Sequence, residues 1–158
     1  MLQERVQLRM ETPEQTCQLA QAIGRSLVPG DVILLEGGVG TGKTHFARCL
    51  IHSLLNTPED VPSPTYTLVQ TYDGLNGEIW HADLYRLTDL SEIEELGLTQ
   101  AFSEAICLVE WPDRLGDQVP DKALCLHFET LDKSDGRLVS ISWSASSWDK
   151  KLRQVAHD

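Results

Sequence analysis

The sequence predicts an α/β fold, with residues 1–158 forming a single domain built on a mixed sheet of buried core strands plus antiparallel hairpins and flanking helices. Three observations carry this. The run Val32-Ile33-Leu34-Leu35 is apolar at every position, as a strand covered on both faces must be. A glycine-rich turn follows it directly, and then a segment from Lys43 to Leu55 whose apolar residues Phe46, Ala47, Leu50, Ile51, Leu54 and Leu55 recur at helical spacing. Two later stretches consist of β-rich runs on either side of short turn sequences, the pattern of hairpins.

The remaining elements follow in chain order. Residues 4–9 alternate polar and apolar side chains, which suits a half-buried opening strand. Thr12-Pro13-Glu14-Gln15 offers a capping hydroxyl, a proline at the first helical position and a glutamine three residues after the cap. A helix carrying Leu19, Ala20, Ile23 and Leu27 should follow and stop at Pro29-Gly30. The central strand runs from Asp31 to Glu36, and the helix after it ends at Asn56 and Pro58. Pro58, Pro62 and Pro64 keep the next connection extended, and residues 66–73 and 77–82 form a hairpin about Asp73–Gly77. Ser91-Glu92-Ile93-Glu94 reads as a capping box that opens a short acidic helix to Leu96. Ala105 to Trp111 is a second buried strand. Ala123–Glu129 and Leu138–Trp143 flank the turn Asp132–Gly136 as a second hairpin, and a short helix spans Trp148–Val155.

Composition excludes several classes. Thirteen Lys and Arg against 24 Asp and Glu give a net charge of −11, which repels phosphodiester backbones, so direct binding to RNA or DNA is disfavoured. The longest apolar runs, Val32–Leu35 and Ile106–Val109, are far short of the roughly 20 residues that span a bilayer. The opening MLQERVQLRM lacks the apolar stretch of a secretory signal, so a cytoplasmic protein is expected. Cys17, Cys49, Cys107 and Cys125 form no C-x-x-C pair and lie among apolar neighbours, so reduced thiols acting as small hydrophobes are expected, with neither zinc nor disulfide.

Chemistry enters at Gly37-Gly38-Val39-Gly40-Thr41-Gly42-Lys43-Thr44, which fits G-x-x-x-x-G-K-[ST] between a buried strand and an amphipathic helix, the setting a P-loop requires. Glycines let successive backbone N–H groups turn inward toward phosphate oxygens, and the helix beginning near Gly42 adds the positive end of its dipole. Lys43 is expected to reach the β- and γ-phosphates and Thr44 to ligate Mg²⁺, so ATP and Mg²⁺ are the expected ligands. Gly38, Gly40, Thr41, Gly42, Lys43, Thr44 and His45 make up the expected nucleotide-holding stretch. A P-loop also needs a carboxylate at the end of a neighbouring buried strand. Glu110, after Ile106-Cys107-Leu108-Val109, fits, and Asp83 in His81-Ala82-Asp83 is the other candidate for holding a metal-bound water or accepting a proton. Asp113-Arg114-Leu115-Gly116 matches the D-x-x-G of GTPases, but no N-K-x-D element accompanies it, so adenine is the expected base. His81 is assigned to orientation or packing, Trp80 to the core, and Trp111 to a position over the nucleotide or a partner.

These blocks, together with Ser63-Pro64-Thr65-Tyr66-Thr67-Leu68-Val69, His81-Ala82-Asp83-Leu84-Tyr85-Arg86-Leu87 and Val109-Glu110-Trp111-Pro112-Asp113-Arg114, resemble the TsaE (YjeE) family, the ATPase subunit of bacterial threonylcarbamoyladenosine synthesis on tRNA. The resemblance spans about Thr12 to Phe128. It implies that Thr65 acts as a switch-type threonine near the γ-phosphate, Asp83 and Glu110 as metal-linked carboxylates, and Trp111 as the active-site tryptophan. It implies that Thr16 belongs to an amino-terminal element packing on adenine. It further implies TsaB and TsaD as partners, with tRNA met only indirectly and no role for DNA or membrane. Two other readings of a short P-loop chain are a small-molecule kinase and a regulatory nucleotide-binding module without turnover. The eight arginines are scattered and supply no clustered lid of the kind such kinases use.

Overall fold

The computed structural model describes residues 4–131, 136–153 and 155. Seven strands among them form one sheet: β1 (Glu4–Met10), β2 (Val32–Gly37), β3 (Val69–Gly74), β4 (Gly77–Asp83), β5 (Ile106–Glu110), β6 (Leu124–Thr130) and β7 (Arg137–Trp143). Their order across the sheet is β1-β7-β6-β2-β5-β4-β3. β6, β2, β5 and β4 run parallel, while β3, β7 and β1 are antiparallel additions at the two sides. The helices are α1 (Pro13–Gly24), α2 (Lys43–Leu54), α3 (Ser91–Glu95), α4 (Leu98–Glu104) and α5 (Ser147–Arg153), with a 3₁₀ segment over Pro112–Gln118. No helix among the described residues is long and apolar enough to cross a membrane.

The absence of alternation in β2 has its reason here. Ile33 and Leu35 face one core with Leu19 and Ile23 of α1, Phe46 and Leu50 of α2, and Trp148 of α5. Val32 and Leu34 face a second core with Ile93 of α3, Leu98 and Ala101 of α4, and Leu115 of the 3₁₀ segment. A strand pressed on both faces needs an apolar side chain at every position.

Several elements differ in detail from the sequence expectation, among them α5, which starts at Ser147 and ends at Arg153. α1 ends at Gly24, not at Pro29-Gly30. The chain leaves the helix through shorter bonds, Leu27 N donating to Gly24 O at 3.1 Å and the Ser26 hydroxyl to Ile23 O at 3.2 Å. Leu27 stays fully buried, so the apolar period outlasts the helix. The Thr12 cap forms, with its hydroxyl accepting from Gln15 N at 3.2 Å, but Gln15 Oε1 reaches back to Glu11 N at 2.6 Å, one residue before the cap. Ser91 does not cap α3. Asp89 Oδ1 accepts from Ser91 N at 2.9 Å and Glu92 Oε1 accepts from Asp89 N at 3.1 Å, so the reciprocal pair sits two residues upstream. α4 was not anticipated, because only Leu98 and Ala101 of its seven residues are buried, too few to declare a period.

In the first hairpin, β3 begins at Val69; Thr65 to Leu68 form a turn closed by Leu68 N donating to Pro64 O at 2.8 Å. Leu75-Asn76 is the two-residue hairpin loop. In the second hairpin the expected turn at residues 132–135 lies outside the described residues, as does residue 154 of the expected final helix.

The expectation of four reduced thiols is corrected. Cys17 of α1 and Cys49 of α2 are joined as a disulfide, with Cα atoms 5.3 Å apart, and Cys107 and Cys125 are free. The pairing arises from the packing of α1 on α2, which brings together residues 32 apart in sequence and leaves no local spacing signature.

Gly37 closes β2 at φ 140°, where a Cβ would lie 2.6 Å from the Phe128 carbonyl oxygen and 2.9 Å from Thr41 Oγ1. The nearest atom to a Cβ on Gly38 is Thr41 Cγ2 at 4.0 Å. Gly37→Ala is therefore expected to lower stability by about 1–3 kcal/mol, and Gly38→Ala to stay within about 0.5 kcal/mol of the parent. Urea denaturation of both variants checks this, and equal midpoints would refute the steric account.

Candidate functional site

The parallel strands bring their carboxyl ends to one rim. Register places Leu35 beside Glu110 and Glu110 beside Asp83, so the chain leaving β2 meets both strand-end carboxylates. A cleft of about 570 Å³ opens at this rim, where ligands of open α/β sheets bind. Its walls are the start of α1, the loop before α2, and the ends of β4 and β5.

The loop before α2 turns through Gly40 (φ 77°) and Gly42 (φ 105°), conformations that cost a glycine little. Gly42 caps α2 without a side chain, so no side chain claims the helix's first amides. Thr41 is buried and its hydroxyl donates to Gly38 O at 2.7 Å. From β7, Arg137 donates through Nε to Thr41 O at 3.1 Å and through Nη2 to Gly40 O at 3.3 Å, clamping the loop to that strand.

Lys43 is 5% exposed, donates to Gly37 O at 2.6 Å and stands 3.5 Å from the centre of the Trp111 ring. Burial pulls its ammonium below the ordinary lysine range, opposed by the negative charges of Glu110, Asp83 and Asp113. Trp111 holds the left-handed conformation at φ 60°, uncommon for a bulky side chain, and its ring tilts against Tyr85 with centroids 4.9 Å apart.

Glu110 is 1% exposed. Its Oε1 accepts from the Thr44 hydroxyl at 2.7 Å, and its Oε2 accepts from His81 Nε2 at 2.7 Å. His81 is fully buried, and its Nδ1 has no hydrogen-bond partner among the described residues. Asp83 accepts from Tyr85 N at 3.0 Å through Oδ1 and from the Thr65 hydroxyl at 3.4 Å through Oδ2. Thr65 is also 2.8 Å from the Ser63 hydroxyl. On the opposite wall, Thr16 is buried and His45 Nε2 lies 3.1 Å from Pro13 O.

Of the residues singled out in the sequence, Thr16, Gly40, Gly42, Lys43, Thr44, His45, Thr65, Asp83, Glu110 and Trp111 line this cleft. Gly38 and Thr41 do not; they bond each other inside the loop and hold its shape. Thr12, Pro13, Val39, Tyr85 and Arg137 line it without having been assigned there. Thr12 and Pro13 had a signal, but as a helix cap. Arg137, 96 residues from Thr41, had none. Arg86 sits elsewhere, its guanidinium 4.6 Å over the ring of the exposed Tyr66. Asp113 to Gly116 lie in the 3₁₀ segment and do not line the cleft.

A family model described as "Threonylcarbamoyl adenosine biosynthesis protein TsaE" matches residues 10–139. Among curated relatives, the tRNA threonylcarbamoyladenosine biosynthesis protein TsaE of Rickettsia felis is 37% identical over 139 residues, covering 88% of this chain and 81% of the relative. The protein of that name from Bacillus subtilis is 38% identical over 117 residues, 73% of this chain and 72% of the relative. The crystal structure of Bacillus subtilis YdiB superposes with a TM-score of 0.80 at 25% identity, covering 99% of this chain and 97% of that one. With the match running from the end of β1 into β7 and taking in each wall of the cleft, the chain belongs to the TsaE family of threonylcarbamoyl adenosine biosynthesis proteins.

Proposed function

We propose that the cleft binds ATP with Mg²⁺ and hydrolyses it in the cytoplasm, supporting a TsaB–TsaD synthase that forms threonylcarbamoyladenosine at the adenosine beside the tRNA anticodon. The observation that carries the nucleotide reading is the 2.7 Å bond from the Thr44 hydroxyl to Glu110, which joins the P-loop to a strand-end carboxylate 66 residues away. Curated relatives named as tRNA threonylcarbamoyladenosine biosynthesis proteins support the setting.

The donor set suits a hard cation. Thr44, Glu110 and Asp83 offer hydroxyl and carboxylate oxygens at one rim, the ligand class of Mg²⁺. When bound there, Mg²⁺ neutralises charge on the β- and γ-phosphate oxygens. Lys43 leaves Gly37 O and the Trp111 face to meet the same oxygens as a point charge. Backbone amides of Gly40 to Thr44 cradle the phosphates, with Arg137 holding the loop by its carbonyls. Asp83, steadied by Tyr85 N and close to Thr65, positions the attacking water. His81 keeps Glu110 aimed at Thr44. Thr16 and His45 form the wall offered to the adenosine.

Lys43→Ala is expected to abolish hydrolysis and to weaken ATP far more than adenosine, with the fold intact by circular dichroism. Unchanged turnover in this variant would sink the phosphate-site assignment. Asp83→Ala and Glu110→Ala should each lose at least about 10²-fold in turnover while still binding nucleotide, because a missing orienting carboxylate harms the transition state most. If both hydrolyse ATP at the parent rate, the carboxylates have no part in the chemistry.

The isolated chain is expected to be slow and to speed up with TsaB and TsaD. Lys43 and Arg137 are the Lys and Arg side chains among the lining residues, and Arg137 is engaged with the loop carbonyls. An arginine supplied in trans contributes about 10³–10⁵ in rate in enzymes that use one. Single-turnover assays with and without the partner pair check this; equal rates remove the case for activation. The net charge of −11 also predicts that the chain alone does not hold tRNA, and salt-sensitive tight binding in a mobility-shift titration would contradict it.

A further inference from the structure

The disulfide stands against the nucleotide cleft. Cys17 follows Thr16, which lines the cleft from α1, and Cys49 lies one helical turn after His45, which lines it from α2. His45 Nε2 is 3.8 Å from Cys49 Sγ, and ligating atoms of Cys17, His45 and Cys49 all lie within 4.8 Å of one another. Cys17 is half-buried, open to an incoming thiol or disulfide, whereas Cys49 is buried behind it. The other two cysteines have a different character. Burial pushes the Cys107 thiol up to about 12 and raises Cys125 too, which keeps both in the unreactive protonated form.

We propose that Cys17 and Cys49 are a reversible thiol–disulfide site that exchanges with low-molecular-weight disulfides of the glutathione class, and that the cross-link tightens the neighbouring cleft for its nucleotide. The coupling rests on the nucleotide reading above; the exchange does not. In the forward direction the Cys17 thiolate attacks one sulfur of the small disulfide, forming a mixed disulfide and expelling one small thiolate. Cys49 loses its proton to solvent and attacks the Cys17 sulfur of the mixed disulfide, expelling the second small thiolate. Each departing thiolate takes up a proton, so two protein thiols are oxidised and one small disulfide becomes two thiols. The reverse reaction begins at the more open sulfur, Cys17.

The cross-link acts on the cleft through geometry. Two unbonded sulfurs must separate to van der Waals contact, roughly twice their bonded spacing, which eases the Thr12–Thr16 wall of α1 away from the first turns of α2. The bonded form keeps the two walls at one spacing, so less ordering remains for the nucleotide to impose.

The test uses the full chain equilibrated in buffers of graded reduced-to-oxidised glutathione, then quenched with an alkylating reagent and weighed by mass spectrometry. Cys17 and Cys49 are expected to pass together from labelled to protected as the buffer becomes oxidising, and back on adding dithiothreitol. Cys17→Ser and Cys49→Ser are expected to lose that transition. A fluorescent ADP analogue is then expected to bind oxidised wild type about fivefold more tightly than reduced wild type, with no difference between the two buffers in Cys17→Ser. Absence of paired protection overturns the site, as does protection that follows added Zn²⁺ rather than oxidant, which would assign the trio to a metal. Paired protection with equal ADP affinity overturns the coupling. ADP binding to neither form overturns both the nucleotide reading and the coupling, while the alkylation pattern still decides the exchange.

Discussion

A carboxylate buried at the end of a central strand needs partners on every side, and Glu110 meets that need with Thr44 on one oxygen and His81 on the other. Taking a polar group from water is costly, and leaving one buried without its hydrogen-bond partner generally costs about 1–3 kcal/mol. The partners are therefore conditions of the fold as well as parts of a site. Because an ionised carboxylate only accepts, His81 must place a proton on Nε2, and the ring orientation follows from that. β4, β5 and the first turn of α2 are thereby tied at one rim by side chains, in addition to the backbone ladder between β4 and β5.

The loop before α2 is held from both sides. Arg137 grips the carbonyls of Gly40 and Thr41, while Lys43 bonds the carbonyl of Gly37 at the loop's entry. Carbonyls engaged in this way are already satisfied within the protein, which leaves the loop's amides as the groups a ligand can claim. Trp111 adds an aromatic face against the Lys43 ammonium, an arrangement that its left-handed backbone makes possible.

Much of this was legible because it is local. The P-loop lies in one stretch of eight residues, and the apolar runs Val32–Leu35 and Ile106–Val109 announce strands whose ends can meet. The alternation of residues 4–9 and the two hairpin patterns also correspond to real strands. What sequence reasoning missed is non-local or is decided by competition between near neighbours. The Cys17–Cys49 pair depends on how two helices pack, and Arg137 reaches the loop only because β7 lies beside β6. The misplaced cap of α3 reflects a segment rich in Ser, Asp, Thr and Glu, where several side chains offer the backbone similar bonds and the geometry chooses Asp89 with Glu92 over Ser91 with Glu94. The end of α1 was hidden because Leu27 keeps the apolar rhythm after the helix has finished.

At one edge of the sheet β1 pairs with β7, setting Glu4 opposite Trp143 across a long stretch of sequence. During synthesis from the amino terminus, β1 is made before every other strand of this sheet and waits for its partner until β7 has followed. The parallel ladder of β2, β5 and β4 has no such delay, since its last strand ends at Glu110. Arg137 opens β7, so the clamp on the glycine loop also waits for that strand. A nascent chain thus carries its glycine motif long before it can brace it, since Arg137 follows Thr41 by 96 residues.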